Sequence, residues 1–133
     1  MSLKFITDVK DDESWESVVI QAPSSTLCVI DVYTQWCGPC TALDHKLQQL
    51  HIELVNSEIK YVRAISDYVT ALENHRDRSM PLFQFYRGGV QVDELHGANQ
   101  VELTRRVQSL SHASREHNSE SAGNVDAAII QEC

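Results

Sequence analysis

Hydrophobic positions along the chain fall into short blocks whose spacing alternates between that of strands and that of helices. Leu3 to Val9 alternates loosely and is expected to form a first strand. Asp11-Asp12-Glu13 follows, acidic residues suited to a helix N-terminus by capping and by the helix dipole. Trp15, Val18 and Val19 would form the inner face of that short helix, with Trp15 as a core anchor, and Pro23-Ser24-Ser25 would end it. Leu27 to Tyr33 is almost entirely apolar and β-branched, the signature of a central strand covered on both faces, and Asp31 alone interrupts it with a charge. From Pro39 the apolar positions Cys40, Leu43, Leu47, Leu50 and Leu54 step by three and four, which is one stripe of a helix facing a sheet.

Ile59 to Ser66 reads as the next strand, and Asp67 is expected to cap a short helix through Leu72. Leu82 to Tyr86 and Val90 to Leu95 are joined by Gly88-Gly89 as a hairpin. Asn99, with Glu102 three residues on, has the form of a capping box, and Leu103, Val107 and Leu110 continue a buried stripe along the helix it opens. Beyond Ser111 the chain turns to Ser, Glu, Asn, His and Gly, so residues 1–112 are expected to form the domain and 113–133 a flexible tail. The few apolar residues from Val125 to Ile130 would dock on a partner or on the domain.

Composition narrows the function classes. The 133 residues fit one domain with a sizeable core, and a formal charge of -8 argues against a nucleic-acid partner, which needs a basic surface. Met1 to Glu13 has no apolar signal-peptide core and no run reaches the length of a membrane span, so a cytoplasmic address is expected. Of four cysteines only two are closely spaced, unlike the disulfide framework of a small secreted domain. Cys133 is the last residue and does not form a prenylation signal, which leaves an intermolecular disulfide, glutathionylation or an incidental free thiol.

The two close cysteines lie in Trp36-Cys37-Gly38-Pro39-Cys40, at the junction between the apolar strand and the helical stripe. A Cys-x-x-Cys pair there reads as a redox pair. A thiolate is the nucleophile of disulfide exchange, and the unpaired N–H groups at a helix start stabilise it, which makes Cys37 the expected nucleophile and Cys40 the resolving thiol. Pro39 fixes its own φ and has no N–H to lose, favouring a helix that begins between the cysteines. Half of a structural zinc site is the other reading, but no second Cys-x-x-Cys or His-x-x-x-His supplies the remaining ligands, so no metal is expected. His45 and His51 lie off the apolar stripe, without the spacing of a ligand pair, and are expected to be exposed. Asp31, buried in an apolar strand, should have a raised pKa. Cys28 in the same strand is expected to be an inert core residue.

The motif Trp36-Cys37-Gly38-Pro39-Cys40 resembles the active site of the thioredoxin family, and the resemblance covers about residues 3 to 112. It implies a thioredoxin fold, α/β with a mixed central sheet and helices on both faces. It also implies a thiol-disulfide oxidoreductase that reduces disulfides in other proteins, with Asp31 assisting deprotonation of Cys40 through a water. Met80-Pro81 stands at the place of the family's cis-proline, and Gly97 at that of a glycine loop flanking the substrate groove. Trp36, Gly38, Pro39, Met80, Pro81 and Gly97 are therefore the implied substrate-binding surface. No bound cofactor is implied, and electrons would come from NADPH through thioredoxin reductase as a partner. Thr41 and Leu82 depart from the family's usual residues, and Leu82 would alter substrate preference. Arg63 falls where a lysine near the buried aspartate is common. Whether it faces Asp31, favouring the ionised form, or extends to solvent is left open by the sequence.

Val29 to Tyr33, Phe83 to Gly89 and Gly97-Ala98-Asn99 are also similar to the thioredoxin-like domains of ciliary and sperm dynein-associated proteins, some of which carry nucleoside diphosphate kinase modules not found here. This second resemblance implies a redox-gated adaptor or light-chain-like subunit of a ciliary dynein or microtubule assembly, with dynein or tubulin as partner and a ciliary or axonemal location.

Overall fold

The computed structural model describes residues 4–38, 41–77 and 81–119, with residues 112–119 as backbone only. The first strand, β1 (Ile6–Val9), leads into helix α1 (Asp12–Trp15), which widens into a π turn over Glu16–Ile20. Asp11 caps α1, its Oδ1 accepting from the Ser14 N–H at 2.8 Å. Strand β2 (Leu27–Tyr33) is followed by helix α2 (Asp44–Glu53), strand β3 (Ile59–Ile65) and two 3₁₀ segments, Ser66–Tyr68 and Thr70–His75. Strands β4 (Leu82–Arg87) and β5 (Val90–His96) form the expected hairpin, and helix α3 (Gln100–Ser119) closes the described chain.

The five strands make one sheet in the order β1-β3-β2-β4-β5. The β1–β3 and β2–β3 pairs are parallel, whereas β4 runs antiparallel to both β2 and β5, so the sheet is mixed. Alternation along β2 sends its residues to opposite faces. Cys28, Ile30 and Val32 pack with Trp15, Val19 and Leu72 on one side. Leu27 and Val29 pack with Leu43, Leu47 and Leu50 beside α2 and with Leu103 and Val107 of α3 on the other. Trp15 is buried as expected, edge-on to Tyr86 at 5.3 Å. In the hairpin turn Gly89 has φ +78, and a Cβ there would stand 2.9 Å from the Ile20 carbonyl oxygen, so this turn both needs left-handed backbone and seats against the π turn.

Four details differ from the sequence expectation. Helix α2 begins at Asp44 rather than at Pro39. Gly38 adopts φ +76, outside the right-handed helical region, and the Asp44 N–H closes a four-residue turn on the Thr41 carbonyl at 3.1 Å, so the helical ladder starts only there. The stripe of Leu43, Leu47, Leu50 and half-buried Leu54 stands regardless. After β3 the chain forms 3₁₀ segments in place of an α-helix, and Asp67 caps no helix because its carboxylate serves a distant loop. Helix α3 continues to Ser119, past the limit of 112, where a flexible tail was expected; extending an established helix costs far less than nucleating one. Residues 120–133, including Val125 to Ile130 and Cys133, lie outside the described residues. Finally, His51 is half-buried, its ring stacked on Phe5 at 4.4 Å, because an aromatic neighbour on β3, Tyr61, and Phe5 close around it.

Candidate active site

The loop leaving the carboxyl end of β2 carries the thiol. Cys37 is a free, exposed cysteine, and the backbone around it is held at several points. The Gly38 N–H donates to the Thr34 carbonyl at 2.8 Å, and the Gln35 N–H donates to Asp67 Oδ1 at 2.8 Å. Trp36 Nε1 donates to the Arg76 carbonyl at 3.3 Å, and Arg76 Nε in turn donates to the Ser66 carbonyl at 2.7 Å. Tyr68 Oη donates to Gln35 Oε1 at 2.8 Å. The two 3₁₀ segments therefore brace the Cys37 loop, and the polar ends of Trp36 and Tyr68 are tied down while both side chains remain exposed. Sequence reading assigned Asp67 to a helix cap and gave Gln35, Tyr68 and Arg76 no role. No local pattern marks them, because each acts across more than thirty residues or through a backbone carbonyl.

Cys37 stands seven residues before the start of α2, so the helix N-terminus does not reach it in the way the sequence suggests. Cys40 and Pro39 lie outside the described residues, as does Met80. The Met80–Pro81 peptide bond begins at Met80 and lies outside them too. Pro81 itself is joined to the other implied groove residue: the Gly97 N–H donates to the Pro81 carbonyl at 2.8 Å. Gly97 has φ +95 with open space where a Cβ would be, so its backbone conformation rather than crowding calls for glycine. Leu82 is buried in the core and presents no surface to a substrate.

Strands β2 and β3 and the start of α2 share a buried ionic cluster. Asp31 and Arg63 are direct cross-strand partners in the β2–β3 register and share the face covered by α2. Arg63 Nε donates to Asp31 Oδ2 at 3.1 Å, and Arg63 Nη2 is also 3.1 Å from that oxygen. The same Nη2 donates to Asp44 Oδ1, on the first turn of α2, at 2.6 Å. Asp31 Oδ1 is buried without a hydrogen-bond partner among the described residues. Arg63 thus does contact Asp31, but the contact does not decide the protonation state. Burial pushes the Asp31 carboxyl up to about 7, Arg63 pulls the other way, and the Asp44 charge adds to the rise. For Arg63, burial acts to lower the pKa, but the two carboxylates outweigh it and raise it. Cys28, three residues before Asp31 and pointing to the opposite face, is buried, and burial pushes its thiol up. Among the described residues no group of three or more His, Cys, Asp or Glu side chains is arranged to hold a metal ion. No described helix is long and apolar enough to cross a membrane.

The comparisons with known proteins agree with this geometry. A family model described as thioredoxin matches residues 6–109. The flagellar outer-arm dynein 14 kDa light chain of Chlamydomonas reinhardtii is 30% identical over 109 residues, which cover 82% of this chain and 84% of that protein. Thioredoxin domain-containing protein 6 of Homo sapiens is 33% identical over 100 residues, 75% of this chain but only 29% of that protein, so the chain spans under a third of its length. The structure of oxidised thioredoxin O2 from Arabidopsis thaliana superposes with a TM-score of 0.65 at 21% identity, covering 84% of this chain and 99% of that one, a likeness of fold. With a mixed sheet of this order, an exposed thiol at the end of its central strand and a family match across most of its length, the chain belongs to the thioredoxin family.

Proposed function

We propose that the protein exchanges thiols for disulfides and reduces disulfides in other proteins. The observation that supports this most is the exposed Cys37 thiol on a braced loop directly after the strand that buries Asp31. The Cys37 thiolate attacks one sulfur of a partner disulfide. That S–S bond breaks, a Cys37–partner bond forms, and the released partner thiolate takes a proton from water. Cys40 gives its proton to Asp31 and attacks the Cys37 sulfur. The Cys37–Cys40 bond forms, and the second partner thiolate leaves and is protonated. Two electrons pass to the partner, and the dithiol is left as a disulfide. Trp36, Gly38, Pro39, Met80, Pro81 and Gly97 form the surface that receives the partner chain. No bound cofactor takes part; NADPH, acting through thioredoxin reductase, restores the dithiol. The test is NADPH consumption with thioredoxin reductase and insulin. Steady turnover that falls at least about a hundredfold in Cys37→Ser is the expected result, since no other group replaces the nucleophile. Negligible turnover by the folded wild type would remove the reductase reading.

A second reading rests on the similarity, over most of both chains, to a flagellar outer-arm dynein light chain. On that reading the protein is a light-chain-like or adaptor subunit of a ciliary dynein assembly, binding dynein or tubulin, with the dithiol gating the contact. Co-purification with axonemal dynein that changes between reduced and oxidised protein would support it. Absence of any association with dynein or tubulin in either redox state would sink it.

A further inference from the structure

The Arg63 guanidinium serves two carboxylates, and they differ in burial. The Asp31 side chain is 3% exposed and its contacts to the guanidinium are 3.1 Å. The Asp44 side chain is 18% exposed and its contact is 2.6 Å. One cation cannot neutralise two anions, so a buried cluster of this composition favours holding one proton. The drier carboxylate, Asp31, with the longer contacts to the guanidinium, is the one that favours holding the proton. Asp31 Oδ1, buried without a partner among the described residues, is a free position for it.

We propose that Asp44 is a positioning residue for disulfide exchange: it engages the Arg63 guanidinium as its own ion-pair partner and so leaves Asp31 able to take up and release a proton. This rests on the exchange reaction proposed above. Without Asp44, Arg63 and Asp31 would form an ordinary buried ion pair, and Asp31 would be a fixed carboxylate with a reduced tendency to accept the Cys40 proton. The groups that face Asp31 are consistent with this. Arg63 comes from β3 and Asp44 from α2. Strand β4 presents Phe83 opposite Asp31, and α3 meets this face of the sheet through Leu103 and Val107. Tyr33, next on the same face of β2, has its hydroxyl pushed up by burial and then by Asp8, and stays neutral across the relevant range. The position of Asp44 also explains why it has a defined place at all: it is the first residue of α2, so the same ion pair pins the start of the helix that follows the redox loop.

The test is the titration of the Asp31 carboxyl carbon by NMR in the full-length reduced protein, together with the pH profile of exchange with insulin. In the wild type Asp31 is expected to titrate near 7. Asp44→Asn removes a negative charge and frees the guanidinium, and both effects favour ionised Asp31, so its midpoint should fall by about one pH unit or more. The inflection of the exchange rate should move to lower pH with it, and Asp44→Glu should restore both. A midpoint and a rate profile unchanged in folded Asp44→Asn would overturn the proposal. If that variant does not fold, the wild type still decides, because an Asp31 midpoint below about 5 is that of an ordinary ion-paired carboxylate and contradicts the assignment. A wild type that shows no exchange but in which Asp44→Asn shifts Asp31 refutes the reductase reading and, with it, the role in exchange, while keeping the coupling of the two carboxylates.

Discussion

The two faces of strand β2 solve burial in opposite ways. On one, Cys28, Ile30 and Val32 pack in an apolar cluster with Val9, Trp15, Val62 and Leu72. On the other, Leu27 and Val29 pack against Phe83, Phe85 and Leu47, but the row is interrupted by Asp31, tied to Arg63 and through it to Asp44. The first face stabilises the fold by removing area from water, a contribution that does not depend on pH. The second gives up some of that stability, since desolvating three charges costs more than their attraction readily returns, and gains a carboxyl that titrates in the physiological range. The same strand thus carries an apolar scaffold on one side and a buried ionic cluster on the other.

The largest contrast should come from Arg63→Ala, which leaves two carboxylates facing each other without their cation. A loss on the order of 3–5 kcal/mol is expected at pH 8 in urea denaturation, and clearly less at pH 5, where Asp31 is protonated. Ile30→Ala on the apolar face should cost roughly 2–5 kcal/mol at both pH values. If Arg63→Ala is equally costly at the two pH values, the ionic face acts only through packing and the contrast fails.

Asp31→Asn sharpens the comparison further. The folded carboxyl lies at about 7, above its ordinary value of 3.8, so its contribution to stability is fully present below about 3.8 and is lost as pH rises through about 7. The difference in stability between Asp31→Asn and the wild type should therefore grow in favour of the variant by on the order of 2–4 kcal/mol from pH 4 to pH 8. A pH-independent difference would show that Asp31 is not raised. The smallest effect belongs to Cys28→Ala, about 1 kcal/mol of stability with exchange activity unchanged. In the same vein, a maleimide reagent should label Cys37 in the native protein but reach Cys28 only after unfolding.

Most of the architecture was legible in the sequence, because strand and helix periods and turn chemistry are local. The apolar run Leu27 to Tyr33 matches β2 to the residue, and Gly88-Gly89 marks the hairpin. Asn99 Oδ1 caps α3 through the Glu102 N–H at 3.0 Å, although the Glu102 carboxylate turns to Arg105 and Arg106. The start of α2 was misread because Pro39 is a good first helical residue, whereas the left-handed Gly38 and the Asp44 contact lie in the fold rather than in helix propensity. The burial of Asp31 and of Cys28 was read from residue type and neighbours alone.

By itself, then, the sequence determined the order of the strands and of the helices that pack on them and which strand is central, since each depends on residues within a few positions of one another. Only the tertiary structure decided that Arg63 lies opposite Asp31, that Asp44 competes for it, and that Asp67 and Tyr68 brace the Cys37 loop. The physical reason is register: shifting β3 by one residue against β2 would turn Arg63 to the other face, and nothing local to either strand specifies that pairing.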